Sequence, residues 1–187
     1  MRKTIKRVVS LVLATAIVAG GAMSNAAKAD AASSYNCFLM FASTDWKCNN
    51  MKENVACTKV KNKKGTAKYT VTLTKAKAQG EDEKIGSAST AKGATVFCVD
   101  IKNILKDHKV KKLKISNVVI KCDGKKVKIN QKKLAQGQLE PSGDPNKYRL
   151  EIFNTYGEGG TANDPCAKPT AFKWKKSISV SFSLKIK

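Results

Sequence analysis

Three aromatic side chains stand in polar surroundings. Trp46 lies in Asp45-Trp46-Lys47-Cys48, Tyr156 in Asn154-Thr-Tyr-Gly157, and Trp174 between Lys173 and Lys175. An exposed ring stacks on the apolar C–H face of a pyranose, while nearby carboxylate, amide and guanidinium groups fix the sugar hydroxyls. On that chemistry Trp46, Tyr156 and Trp174 are candidate rings, and Asp45, Asn154 and Arg149 are candidate polar contacts. The competing reading is that each ring closes one end of a core. Tyr148 fits that reading, being in phase with Leu150 and Ile152. Arg149 and Glu151 share the opposite face, either as an outward ion pair of small value or with Arg149 in a polar groove touching ligand.

Catalytic chemistry has little to work with. The single histidine, His108, sits in a Lys-rich stretch, and no Gly-x-Ser-x-Gly occurs. A glycosidase needs two placed carboxylates, which spacing alone does not pick out. Asp100 and Asp123 read as strand-end and turn residues. Asn163-Asp164 is the nearest approach to a calcium loop and lacks the density of oxygen ligands such a loop needs. The chain is expected to be no enzyme, with no metal and no cofactor. The six cysteines, Cys37, Cys48, Cys57, Cys98, Cys122 and Cys166, contain no CxxC pair. An even count in an exported chain predicts disulfides, at least two of them, with Cys98–Cys122 a cross-strand pair; six buried free thiols are the alternative.

Export is read from the first residues. Four positive charges within Met1–Arg7 precede an apolar run, Val8 to Met23, and an Ala27-Lys28-Ala29 cleavage sequence. This basic, apolar, small-residue order is that of a secretory signal peptide, assigned to 1–29. Residues 30–34 are expected to form a short disordered N-terminus before one domain over 35–187. The run is too short for a membrane anchor, so no transmembrane segment is expected. Without the leader's five basic residues, 31 basic residues face 14 acidic ones, a net charge of +17, and Arg149 is the only arginine among the 31. Lysine is a hydrated point charge, whereas base edges are usually read by the arginine fork. The excess therefore predicts a solvated surface or diffuse attraction to polyanions, and no specific nucleic acid.

The elements that must position these groups are strands. Ile178, Val180, Phe182, Leu184 and Ile186 alternate with Ser177, Ser179, Ser181, Ser183 and Lys185, the pattern of a strand with one buried face. Tyr69, Val71 and Leu73 alternate likewise. Val118, Ile120 and Cys122 face Val127 and Ile129 across the hairpin dipeptide Asp123-Gly124, with a bend or bulge near Ser116-Asn117. Tyr35 to Ala42 forms a first strand, Val55–Val60 pairs with Ala67–Thr74, and the apolar run Ala94–Ile101 is central. Tyr148–Ile152 follows, and Ile101–His108 gives one short helical turn. Residues 75–93, 135–147 and 154–171 read as loops. About eight antiparallel strands with turn-rich links predict an all-β sandwich of jelly-roll type.

Particular phrases carry a resemblance. Asp45-Trp46 after a first strand, Tyr69-Thr-Val-Thr-Leu73, Phe97-Cys-Val-Asp-Ile101 and Ile115-Ser-Asn-Val-Val-Ile-Lys-Cys-Asp-Gly-Lys-Lys-Val127 occur in order. Tyr148-Arg-Leu-Glu-Ile-Phe-Asn154 and Ile178-Ser-Val-Ser-Phe182 follow. This series resembles the jelly-roll carbohydrate-binding-like domains of secreted proteins from gut and rumen Clostridia, often found beside glycoside hydrolases. The resemblance implies a sandwich and a glycan-related role; the six cysteines and the lysine excess depart from it. The expectation is a secreted, non-catalytic, monomeric glycan-binding protein of a Gram-positive bacterium. Its alternative is a Lys-rich surface or matrix protein that binds teichoic acid, mucin or acidic glycans electrostatically and is held at the cell wall by charge.

Overall fold

The computed structural model describes residues 31–75 and 91–187. The expected signal peptide and most of the loop expected over 75–93 lie outside the described residues. Ten strands and one helical turn follow in the order β1 (Ser34–Ser43), β2 (Asn49–Asn50), β3 (Cys57–Lys61), β4 (Gly65–Thr74), β5 (Ala94–Ile101), α1 (Ile104–Asp107), β6 (Leu113–Cys122), β7 (Lys125–Lys126), β8 (Ala135–Gly137), β9 (Tyr148–Asn154) and β10 (Ser177–Ile186). They form two antiparallel sheets. One runs β2-β1-β5-β9-β8, with β3 also on β1; the other runs β4-β10-β6-β7. The expected all-β sandwich is what the chain forms.

Alternation builds the core between the sheets. Cys37, Leu39 and Phe41 from β1, Phe97, Val99 and Ile101 from β5, and Leu150 and Ile152 from β9 meet Val71, Leu73, Ile120, Ile178, Val180 and Phe182 of the second sheet. β10 is the spine of that sheet, paired over its whole length with β4 and on its other side with β6. β5 is central, as its unbroken apolar run predicts, lying between β1 and β9.

The Asp123-Gly124 turn has φ of 50° and 79° at its two central residues, the left-handed pair that twists a two-residue hairpin correctly. A bulge falls where expected. Asn117, at φ 54°, and Val118 together face Phe182 of β10, because the register jumps from Ser183↔Ser116 to Ser181↔Val119.

Four expectations are corrected. Val55–Val60 does not form a hairpin with Ala67–Thr74: β3 pairs with β1 in one sheet and β4 with β10 in the other. The link at Asn62–Lys64 crosses between sheets, its corner held by Asn62, which donates to the Ala32 and Ser33 carbonyls. Paired strand after the hairpin turn is limited to Lys125–Lys126, although the Val127 N–H still reaches the Ile120 carbonyl. The stretch 135–147 is not all loop, since Ala135–Gly137 adds β8 to β9. All six cysteines are free thiols, and no disulfide is present. Cys37 and Cys122 face the core, whereas Cys98 lies on the outer face of β5 beside Ala42 and Val96. Cys98 and Cys122 are therefore in different sheets on opposite sides of β5. Cys37 lies opposite Thr58, and its near neighbour Cys57 lies opposite Phe38, so the pleat turns those two thiols to different faces.

Candidate functional site

The outer face of the first sheet is where the predicted site residues gather. After β1 the chain turns sharply through Ser43–Cys48. Ser43 Oγ donates to Asp45 Oδ1 at 2.6 Å, the Lys47 N–H reaches the same oxygen at 3.2 Å, and the Cys48 N–H donates to Ser43 Oγ at 3.1 Å. Hydrogen bonding from Ser43, foremost, holds the Asp45 carboxyl below its ordinary value, against a smaller opposing effect of burial. The Trp46 N–H donates to the Ser43 carbonyl, and Asn49 caps the Trp46 carbonyl. Trp46 takes φ 57°, a left-handed conformation that costs a non-glycine residue about 1–2 kcal/mol. These five hydrogen bonds hold it there. The indole is half-buried and packs on Ala42, Val96 and Cys98.

Tyr156 meets this indole from a second turn. The two ring centroids are 6.0 Å apart and the planes are inclined at 50°. Tyr156 is 72% exposed, the most open large hydrophobic side chain among the described residues. Its N–H donates to Asn154 Oδ1, and the Asn154 Nδ2 donates to Glu151 Oε2. Glu151 is fully buried and also accepts from the Thr161 hydroxyl at 2.7 Å. Gly157 and Gly159 lie so close to this carboxylate that a Cβ on either would collide with its oxygens. Glu151 is thus the post around which the 155–161 turn is wound, and Asn154 ties that post to Tyr156.

A second buried cluster lies two residues along β9. Arg149 donates from Nε and Nη2 to both oxygens of Asp100, at 2.7 and 2.8 Å, and from Nη1 to Glu140. Lys147 closes the ring to Glu140 at 2.8 Å and Asp100 at 3.3 Å. Two cations and two carboxylates balance, so the charges are paired as burial demands. Burial, the largest single effect, pushes the Arg149 pKa down, but the Asp100 hydrogen bonds and the surrounding negative charges together outweigh it and hold the pKa above its ordinary value. Burial raises and the Lys147 and Arg149 contacts lower the Glu140 pKa, and the net direction is down.

Trp46, Asp45, Tyr156 and Asn154 are therefore brought together. Two predicted site residues are not. Trp174 is 2% exposed and packs edge-on against Phe41 at 5.6 Å; it is a core ring, bridged to Ala91 by paired backbone bonds. Its neighbours Lys173 and Lys175 point outward by the same alternation that turns it in. Arg149 is 1% exposed, so it is neither an outward ion pair nor a ligand contact. The 138–147 loop covers it. Asn154 is buried and has both ends of its amide engaged, so it positions Tyr156 and does not meet ligand. Sequence reasoning gave Glu151 to Arg149 and read Asp100 as a strand-end residue, whereas Glu151 holds Asn154 and Thr161 and Asp100 holds Arg149; it missed Thr161, Glu140 and Lys147. The signal for the buried role of Glu151 was the Gly157-x-Gly159 spacing, which allows backbone to lie directly on a carboxylate.

No family model, curated protein or solved structure matches this chain. The geometry therefore carries the functional reading. Five of the six thiols have raised pKa values, by burial above all, with Cys48 and Cys166 near 11 and Cys122 near 12. Those five are protonated at neutral pH and poor nucleophiles. Among the described residues no three His, Cys, Asp or Glu side chains converge as metal ligands, and the Asp164 carboxylate is taken by Lys133. No described helix is long and apolar enough to cross a membrane.

Proposed function

We propose that this is a secreted, non-catalytic glycan-binding protein whose contact surface is the Trp46–Tyr156 ring pair. The observation that carries the reading is that ring pair itself. It has one open and one half-buried face, and each ring is fixed on its own hydrogen-bonded turn. Rings held in advance lose little entropy on binding, and a pyranose face needs such a platform. Asp45, beside Trp46 and ionised at neutral pH, supplies an acceptor for sugar hydroxyls. The resemblance to carbohydrate-binding-like domains and the leader-like residues 1–29 support the same reading, with export of a monomer to the cell exterior.

The test pairs binding with folding. Trp46→Gly removes the ring and relieves the left-handed backbone, and Tyr156→Ala removes the exposed ring. On an array of neutral glycans each variant should lose binding at least tenfold, about 1.4 kcal/mol, as a central aromatic contact would. Thermal unfolding should move by only a few degrees. Binding by the unaltered chain should barely change with salt, since stacking releases no counterions. Retained binding in both variants, or a strongly salt-dependent interaction with neutral sugar, would remove the rings from the function.

A further inference from the structure

The four-stranded sheet presents an outer face of a different chemistry. Its strands, Gly65–Thr74, Leu113–Cys122, Lys125–Lys126 and Ser177–Ile186, contain no carboxylate. The register sets hydroxyls and ammonium groups in rows across them. Thr72 lies beside Ser179, Lys121 and Lys126; Thr70 beside Ser181; Lys68 beside Ser183 and Ser116; and Thr66 beside Lys185 and Lys114. Lys68, Lys114, Lys121, Lys126 and Lys185 are all exposed, and none is in an ion pair with a described residue. The carboxylate at the end of this sheet, Asp123, is already engaged by the backbone N–H groups of Lys175, Lys176 and Ser177. By contrast the Asp100, Glu140 and Glu151 carboxylates belong to the other sheet and its covering loops. The bulge at Asn117 opens a shallow depression of about 410 Å³ in the middle of this lysine face, where the polar Lys68, Thr70, Asn117, Ser181 and Ser183 line it together with Tyr69, Val119 and Phe182. An ammonium, three hydroxyls and an amide converge there; the Thr70 and Ser181 hydroxyls lie 2.8 Å apart, and the Asn117 amide donates to the Ser183 hydroxyl at 3.5 Å.

We infer that this sheet face binds a flexible, base-free phosphodiester polymer, with one phosphate seated in the depression at the bulge and its neighbours met by the surrounding lysines. Charge complementarity gives the sign of the partner: an array of ammonium groups that make no ion pair among the described residues, on strands without carboxylates, attracts a polyanion. Hydroxyl and amide donors beside an ammonium suit the several acceptor oxygens of a phosphate. Arginine, the side chain best matched to planar carboxylates and to base edges, is absent from the face. So is an exposed ring for bases to stack on: Tyr69 is only partly exposed, and its hydroxyl accepts the Lys61 N–H at the sheet corner. A polyol-phosphate chain is the polymer left by those exclusions. This surface lies on the sheet opposite the Trp46–Tyr156 pair, so the two readings stand or fall separately.

The probe is purified poly(glycerol phosphate), fluorescently labelled, titrated with the full domain from 25 to 300 mM salt. The unaltered chain should bind with a steep negative log–log salt dependence. A variant carrying Lys68→Gln, Lys114→Gln, Lys121→Gln and Lys185→Gln should bind at least about tenfold more weakly at low salt, with a salt slope shallower by roughly 0.7 for each phosphate it no longer neutralises. A control with the exposed lysines of other surfaces changed, Lys52→Gln, Lys59→Gln, Lys106→Gln and Lys109→Gln, should stay within about threefold of the unaltered chain. Asn117→Asp, which puts a charge at the depression, should weaken binding as the quadruple variant does. Trp46→Gly should leave it unchanged, and the quadruple variant should keep any neutral-glycan binding. No binding of poly(glycerol phosphate) at 25 mM salt overturns the proposal. Equal loss in the control variant overturns it too, in favour of diffuse net charge. Tighter binding of single-stranded DNA with the same number of phosphates overturns the choice of polymer.

Discussion

A carboxylate that neutralises two cations must stay ionised to do so, and Glu140 is such a residue. It accepts from Lys147 and Arg149, and over a third of its side chain remains in contact with water. Desolvation pushes its pKa up in the folded chain, but the two cations outweigh that effect and hold it below the usual carboxylate value. The sign of the linkage follows. Glu140 contributes stability that is present above its unfolded pKa of about 4.3 and is lost as pH falls through the lower, folded value. Glu140→Gln should therefore be less stable than the parent at pH 7, and the gap in melting temperature should close below about pH 4. Thermal melts from pH 2 to 8 check this; a gap independent of pH would mean that the loss is one of packing and not of charge. Arg149 illustrates why such residues are hard to read in sequence. In strand alternation it stands where a solvent-facing residue is expected, and nothing local announces that a loop nine residues upstream will fold over it.

Among the elements, β6 has an outer edge that β7 covers only at Lys121 and Cys122. Side chains complete the edge. Gln136 accepts the Ile115 N–H at 2.6 Å and donates to the Ile115 carbonyl at 3.0 Å; Gln131 does the same for Val118, at 3.1 and 2.6 Å. The Tyr148 hydroxyl donates to Gln136 Oε1 at 3.0 Å, with the Leu113 carbonyl a more distant acceptor at 3.4 Å. Each amide imitates one residue of a missing strand. Removing one deletes two hydrogen bonds to the strand edge, and for Gln136 a third from Tyr148, and leaves an edge open to pairing with another chain. Gln136→Ala should cost about 1–2 kcal/mol in urea unfolding, and it should speed hydrogen exchange at the Ile115 amide while leaving Val118 protected. Unaltered exchange at Ile115 would mean that the bond does not bear on the edge. Most strands were legible because period two records which face is buried, as β10 and β5 show. Pairing was not legible. Alternation in Cys57–Lys61 and Gly65–Thr74 suits a hairpin and a crossover equally, and the corner at Asn62 is decided by contacts with Ala32, Ser33 and His108 that are far away in sequence. The candidate site divides in the same way. Trp46 and Tyr156 stood out as aromatic residues in polar turns, whereas Trp174 has the same flanks and is buried by the strand pairing at Ala91.

At the scale of the whole molecule, the disposition of the cysteines bears on how the fold is held. A sandwich of this size buries enough apolar surface to be stable without cross-links, and Cys37, Cys48, Cys122 and Cys166 are part of that buried core as small apolar side chains. Their thiols are shielded from oxidant by packing and by pKa values well above neutrality. Cys98 is fully buried on the other face of β5, with Ala42 and Val96 and beneath Met40 and Trp46. Cys57 alone is exposed, on β3 at the sheet margin. Thiolate formation and access together set the rate of exchange, so the six should fall into two classes under native conditions. A water-soluble maleimide should modify one cysteine, Cys57, rapidly, and the other five only as fast as the domain opens; in denaturant all six should react. Reductant should leave the melting temperature unchanged, because no bond is there to break. Mass analysis of the native, non-reduced chain should show the full complement of thiol hydrogens. A deficit of two mass units per pair, or a melting temperature lowered by reductant, would show that the strands carry cross-links that this arrangement of the pleat forbids.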